Sequence, residues 1–430
     1  MKQILKTIVF PFFYAFCALT VSAQQTPALE QIKQNPYKAY GTDCPYPFDE
    51  AKLTASPKGY KPFYISHYGR HGSRYHYSAS DYAFFDKLFL SADSAQALTE
   101  LGKSVGKRVH QLYVDAHQRA GDLTQTGAKQ HMEIAKRMVQ SYPDVFKGNA
   151  KIDVKASTSG RCIMSMDAFC RQLQAMNPQL SITAESSKRL MTYICNDSWD
   201  TISVYMSDTL WTNRFNALHE KYVKPERMMR ALFSDSLYVE KYIDKVQFMR
   251  KFYEIYGSMQ GIDDVNFDLA DVFTDDELYG NWIVQNAWWY GAYGRCPLTH
   301  ARGTKFAKNL LRNILDEADK ALAGNGTSAT LRFGHDTGLL PLCCLMELEG
   351  CNARTADLEN LSNKWGWCDF KIIPMAGNLQ MIFYKSKKSY DVFVKVLLNE
   401  REVDLPVYSD MAPYYKWNDV EQYYRNILNE

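Results

Sequence analysis

The chain contains no Cys-x-x-Cys pair, which argues against a zinc ribbon or a thioredoxin-type redox site. It has almost no charge imbalance. The formal net charge is +2, so no polyanion-binding tail is implied and nucleic acid is not an expected partner. Any anion site must come from local clustering of cations. No internal repeat stands out. Beyond the first residues, no apolar run is long enough to span a bilayer.

What is present is a globular composition: 430 residues, 46% hydrophobic and 23% charged. That length suits a core carrying a large insertion. The aromatic share of 14%, with 29 tyrosines, reads first as packing. Lys2, Lys6, the apolar run from Ile8 to Leu19 and Val21-Ser22-Ala23 have the form of a secretory leader, residues 1–23, cleaved before Gln24. Phe16 is too large for a lipoprotein signal at Cys17. The expectation is an exported chain, periplasmic or secreted, with no stable membrane insertion once the leader is gone. Export permits disulfides. Of the ten cysteines, Cys17 lies in the leader, so an odd number remains and at least one thiol is free or paired between chains. Cys351 and Cys368 flank a loop-like stretch and are the candidate bridge. Cys343-Cys344 read as buried.

Along the chain, prolines 27, 36, 45, 47 and 57 suggest an extended lead-in over residues 24–60. Phe63-Tyr64-Ile65 is β-prone and breaks into Gly69-Arg70-His71-Gly72-Ser73-Arg74, a buried strand ending in a tight cationic turn. Helical patterning covers 81–117. Thr124 or Thr126 can cap a helix running to about Tyr142; its start reads equally as a plain cap or as an end facing an anion. Lys151 to Thr158 alternates as a strand, then Ser157-Thr-Ser-Gly-Arg161 leads into a helix with an apolar stripe of Ile163, Met164, Met166, Phe169 and Leu173. Leu180 to Ala184 makes a third strand. Residues 185–322 carry helical patterning and no clear strand, an inserted all-α domain. Trp288-Trp289-Tyr290 within it read as core. Sheet character returns at 329–334, followed by His335-Asp336-Thr337 and an apolar helix, then strands at 370–374, 379–384 and 393–398 with a turn at Asn399-Glu400. The fold expected is α/β: a mainly parallel sheet with helices on both faces, built from 24–184 and 323–430.

Three strand ends thus offer Arg70-His71-x-x-Arg74, Arg161 and His335-Asp336. In an open α/β sheet, ligands gather at such ends. Arginine forks suit a tetrahedral phosphate, a histidine can attack phosphorus and a carboxylic acid can protonate the leaving oxygen. Positioning and charge stabilisation dominate phosphoryl transfer. His67 and His71 have a spacing that binds zinc on a helix, but Gly69, Gly72 and the strand-like start argue against one. No metal and no cofactor is expected.

Arg70-His-Gly-x-Arg74 with a distant His335-Asp336 resembles the histidine acid phosphatases, the branch that includes phytases. Leu123-Thr-x-x-Gly127-x-x-Gln130 is similar to that family's helix after the first strand. Ser157-Thr-Ser-Gly-Arg161-Cys162, with Ser165 and Phe169, resembles its second arginine motif, particularly in multiple inositol polyphosphate phosphatases. Pro374-Met-Ala-Gly-Asn378-Leu379 is similar to its C-terminal core. The resemblance implies a small-molecule phosphomonoester as partner. His71 would be the nucleophile, Asp336 the acid, and Arg70, Arg74, Arg161 and His335 the phosphate ligands. His76, Tyr77, Lys188, Arg189, Arg295 and Thr337 are further candidates for substrate contact. Two departures stand out. Tyr75-His76-Tyr77 replaces a proline and a small hydroxyl residue. His335-Asp336-Thr337 stands where inositol polyphosphate phosphatases usually have His-Ala-Glu, so substrate range cannot be copied from either group. The expected activity is hydrolysis of inositol phosphates such as phytate, with a broader-range acid phosphatase acting on sugar or aryl phosphates as the alternative; a non-catalytic binder of phosphorylated ligands and a mutase are the competing readings. The sequence sets no oligomeric state.

Overall fold

The computed structural model describes residues 27–47, 52–263, 265–324 and 326–429. The leader expected at 1–23 lies outside them. One eight-stranded mixed sheet forms the centre, in the order β3-β2-β4-β1-β5-β6-β7, with β8 paired to β6. The strands are β1 (Tyr60–Arg70), β2 (Lys151–Ala156), β3 (Ser181–Ser186), β4 (Thr327–Gly334), β5 (Asn378–Ser386), β6 (Ser389–Leu398), β7 (Arg401–Glu402) and β8 (Tyr415–Lys416). From β3 to β1 the pairing is parallel; from β1 onward through β5 and β6 it is antiparallel. The α/β class is borne out, and the parallel half is the half that carries the strand ends of interest.

Alternation fixes how the sheet is covered. In β1 the last seven residues are all buried. Tyr64 and Tyr68 belong to the larger apolar core, whereas Ile65 joins Val154, Leu331, Phe333 and Ile382 in the smaller one. Both faces of the sheet therefore carry apolar cover. Helix Gln125–Ser141 supplies Ile134, Ala135 and Met138 to the smaller core, and helix Gly160–Met176 supplies Phe169 and Leu173. Helix Lys308–Leu322 places Leu311 and Leu315 in the larger core. Between β3 and β4 the described elements are all helical, including Thr209–Tyr222, Lys245–Met259 and Asp275–Tyr293.

Several local expectations are corrected. Residues 28–43 of the lead-in are not extended: they form helix Ala28–Gln34 and a 3-10 segment Pro36–Asp43, started by Pro36 and the Asn35 side chain. The helical patterning over 81–117 resolves into two helices, Ala79–Ser94 and Glu100–Asp115, parted at Gln96 with a left-handed φ of 56° and restarted by a Thr99 cap. The strand read at 370–374 is helix Asp369–Ile372. Its apolar residues face the core as a turn, because the Asp369 side chain accepts from the Phe370 N–H. Cys351 and Cys368 are both free thiols and form no bridge. Cys343 and Cys344 are buried. Tyr290 is core, but Trp288 and Trp289 line a cavity, so that pair is not simply packing.

Candidate active site

β1 delivers the cationic turn, and four other segments clamp it. The Arg70 N–H donates to Gly377 O at 2.8 Å, His71 N–H to Gly334 O at 2.9 Å, and Ala376 N–H to His71 O at 2.9 Å. Gly72 N–H donates to Ser165 Oγ at 3.1 Å. Gln130 accepts from Ser73 N–H and donates to Ser73 Oγ, both at 2.9 Å. Those contacts tie Gln130, Ser165 and the stretch from Ala376 to Gly377 to the turn. Gly72 and Gly127 touch backbone to backbone, and a Cβ on either would overlap the other segment's main chain. The start of helix Gln125–Ser141 is a plain cap: Thr124 Oγ1 accepts from Gly127 N–H and donates to Ser73 O.

Arg70 is wholly buried. Its Nη1 donates to Thr42 O at 2.5 Å and Ile373 O at 2.6 Å. Its Nη2 lies 2.7 Å from Asp336 Oδ2. Two backbone carbonyls thus fix the guanidinium plane, and its other edge faces the acid.

His71 Nδ1 lies 2.9 Å from Gly72 O. A carbonyl only accepts, so Nδ1 carries the hydrogen and Nε2 keeps its lone pair. Burial, followed by Arg70, Arg161, His335 and Arg74, pushes its pKa well below the ordinary histidine value. Both effects favour the neutral ring. His335 is oriented by the same logic. The Arg161 Nη2 donates to its Nδ1 at 3.3 Å, which leaves Nε2 to donate to Ser157 Oγ at 3.0 Å. Burial and then Arg161 lower its pKa to about 4. The two rings sit 5.6 Å apart at 71°.

Asp336 opens helix Asp336–Leu345, where the macrodipole favours a carboxylate. Its Oδ1 accepts from Thr337 N–H at 2.8 Å. Burial acts to raise its pKa, but Arg70, His335, Arg74 and the Thr337 N–H outweigh burial and hold the carboxyl below its usual range. Arg74 donates through Nη1 to Tyr75 O at 3.0 Å, places Nη2 3.4 Å from Asp43 Oδ1 and lies over the Tyr77 ring at 5.6 Å.

These groups border a cavity of about 600 Å³ whose lining includes His71, Arg74, Tyr77, Arg161, Asp336 and Thr337. Arg70 and His335 reach it through Asp336 and Arg161. His76 is buried, held by Asp81 at 3.1 Å. Lys188 is exposed and away from the lining. Arg189 is tied to Glu185, and Arg295 pairs with Glu347. His67 packs on Phe169 and Phe333, and among the described residues no cluster could hold a metal ion. Sequence reading missed Thr42 and Asp43, which reach the arginines from the lead-in. It also missed the cavity's helical wall. There Phe215 and His219, Arg250 and Glu254, and the adjacent Trp288 and Trp289 line the space; helical spacing shows a shared face but not what the face meets.

A neutral imidazole lone pair and a carboxyl, set among three arginines at the ends of parallel strands, define a phosphatase. Residues 69–399 match the histidine phosphatase superfamily, branch 2, and the chain belongs to that family. It is 23% identical over 329 residues to multiple inositol polyphosphate phosphatase 1 of Gallus gallus, covering 68% of each. Its fold matches the multiple inositol polyphosphate phosphatase of Bifidobacterium longum in complex with inositol hexasulfate: TM-score 0.76, 17% identity, 89% of this chain and 97% of that one. It also matches the D. castellii phytase, with TM-score 0.67, 15% identity and coverage of 96% and 89%. Among the described residues no helix is long and apolar enough to cross a membrane.

Proposed function

We propose that this chain is an exported phosphatase that cleaves inositol polyphosphates, phytate included, through a phosphohistidine on His71 and without a metal ion. The observation that carries the reading is the fixed His71 tautomer: Nδ1–H is tied to Gly72 O, so the Nε2 lone pair is free among the arginines. The named substrates and ligands of the relatives supply the substrate class. The core is 24–184 with 323–430, and 185–322 is a helical insertion that covers the site.

In the first step Nε2 of His71 attacks phosphorus. The ester P–O bond breaks, and the leaving oxygen takes the proton of Asp336. Arg70, Arg74 and Arg161 hold the phosphoryl oxygens, and His335 joins them when its Nε2–H turns from Ser157 Oγ to the bound phosphate. In the second step a water oxygen attacks phosphorus, the P–N bond breaks, and Asp336 takes the water's proton. Asp336 must start protonated, yet Arg70 holds it ionised in the free site. A bound phosphate competes for Arg70 and removes that counter-charge, which raises the acid's pKa when it is needed. The pH optimum is acidic; a rate maximum above pH 8 contradicts the role given to Asp336.

The test is phosphate release from inositol hexakisphosphate at pH 5 in EDTA, with wild type and His71→Ala in parallel. Release by wild type alone supports the reading. If only a simple aryl phosphate is cleaved, the mechanism stands and the substrate becomes that of a broader acid phosphatase. If neither is cleaved, the chain is a phospho-ligand binder.

A further inference from the structure

A highly phosphorylated ring needs cations around the whole cavity, not only at the point of cleavage. The basic residues that the sequence offered for that purpose are not on the cavity lining. Lys188 is exposed, Arg189 binds Glu185 through Nε and Nη2 at 2.7 and 2.8 Å, and Arg295 pairs with Glu347. Among the described residues no lysine lines the cavity.

The wall beyond the arginines is built from other chemistry. Trp199, Trp288, Trp289 and Tyr293 form an aromatic shelf. Trp199 and Trp288 lie 6.3 Å apart, and Trp289 stacks on Tyr293 at 5.4 Å. Asp197 and Glu254 stand on the same lining, and among the described residues neither is in an ion pair. Asp197 Oδ1 accepts from the Cys195 thiol at 3.1 Å. Burial raises the Glu254 pKa against the pull of Arg250. The cationic fork of Arg250 is partly spent: its Nη1 donates to Asn281 O at 2.7 Å and Asn281 Oδ1 at 3.2 Å. Burial and then Arg250 lower the pKa of His219, the other basic group there. Asp43 is engaged by Arg74.

Five extra phosphates would therefore meet carboxylates and indole rings, with little positive charge in reach. A ring bearing free hydroxyls suits the same wall. Its apolar C–H face packs on the aromatic shelf, and its hydroxyls donate to the carboxylates. We propose that Asp197, Glu254 and the Trp199–Trp288–Trp289 shelf select inositol phosphates carrying one to three phosphates over the hexakisphosphate. This rests on the reading of inositol phosphates as the substrate class.

The experiment measures kcat/KM at pH 5.5 and fixed ionic strength for inositol monophosphate, a trisphosphate and the hexakisphosphate. It uses wild type, Asp197→Asn/Glu254→Gln and Trp199→Ser. Trp199 is 64% exposed, so its replacement leaves the fold intact, and the two carboxyl replacements keep size and shape. Wild type is expected to favour the lower members about ten-fold or more, and the double variant to narrow that ratio about ten-fold by removing like charge, chiefly that of Asp197 because burial favours the neutral form of Glu254. Trp199→Ser raises KM for the lower members about three-fold, with a smaller effect on the hexakisphosphate. Wild-type preference for the hexakisphosphate, or a ratio that both variants leave unchanged, overturns the selection. If no inositol phosphate is cleaved while an aryl phosphate is, the substrate class itself falls, and this inference with it.

Discussion

Asp369 offers the sharpest test of how burial sets charge in this fold. It is wholly buried. Its Oδ1 accepts from Trp282 Nε1 at 2.9 Å and Phe370 N–H at 2.8 Å, while Oδ2 has no hydrogen-bond partner. That oxygen lies against Gly41, where a Cβ would collide with it. The segment behind Gly41 gives Thr42 O to Arg70 and Asp43 to Arg74, and Ile373 O, at the end of the Asp369 turn, also holds Arg70. Burial pushes the Asp369 pKa up to about 7 from 3.8. The folded protein thus binds a proton here that the unfolded chain releases. The stabilisation is complete below pH 4 and is lost as the pH rises from about 4 to 7. Three pKa units correspond to at most ~4 kcal/mol. At ~2.1 cal/mol/K per residue, that is about 4 to 5 °C in Tm for a chain of this size. Asp369→Asn keeps the acceptor but cannot ionise. The variant melts below wild type at pH 4.5, where its new N–H lacks a partner, and regains about 4 °C on wild type between pH 4.5 and pH 8. Thermal melts of both proteins at the two pH values measure this. Parallel pH dependence of the two Tm values would refute the claim that Asp369 is held protonated by burial.

Three further outcomes are expected. Asp336→Asn lowers kcat by roughly 10²- to 10⁴-fold on alkyl phosphates and much less on p-nitrophenyl phosphate, whose leaving group needs no proton; equal losses on both would remove Asp336 from the acid role. The kcat/KM profile shows no downturn near pH 6.5 on the acid side, because burial and the arginines keep His71 neutral well below that value; an acid limb with its midpoint near 6.5 would contradict this. Gly127→Ala forces the Gln130 helix off the catalytic turn, since its Cβ meets the Ser73 backbone. It should cost ~2 kcal/mol or more in denaturant unfolding and most of the activity, and a fully stable, active variant would show that the contact is dispensable.

The chemistry was legible in the sequence wherever it is local along the chain. Arg70, His71 and Arg74 fall within five residues, and a β-prone run breaking into glycine leaves few conformations open to them. The Ser157–Arg161 and His335–Asp336 junctions are strand-to-helix turns of the same kind, and their pairing side by side in the parallel half follows from the α/β pattern. What local pattern could not decide was which residues meet from far away. Asp43 reaches Arg74, and Thr42 O reaches Arg70, only because Pro36–Asp43 folds as a 3-10 segment packed on helices Lys245–Met259, Asp275–Tyr293 and Asp369–Ile372 instead of running extended. Phe370 and Ile372 look like strand residues, yet the Asp369 side chain captures the turn. Arg189 and Arg295 look like phosphate ligands when only their charge is known, but each finds a carboxylate nearby. Helical spacing puts Arg250 with Glu254 on one face, and adjacency puts Trp288 beside Trp289 on another helix, without saying that both border one cavity.

The family, most of the sheet and the candidate reacting groups could be read from the chain itself, because strand ends and tight turns are written in neighbouring residues. Three things came only with the fold: the protonation of His71 and His335, the pairing of Asp336 with Arg70, and the character of the cavity wall. Burial and charge at a site are sums over residues that the chain brings together from everywhere, and no local pattern contains such a sum.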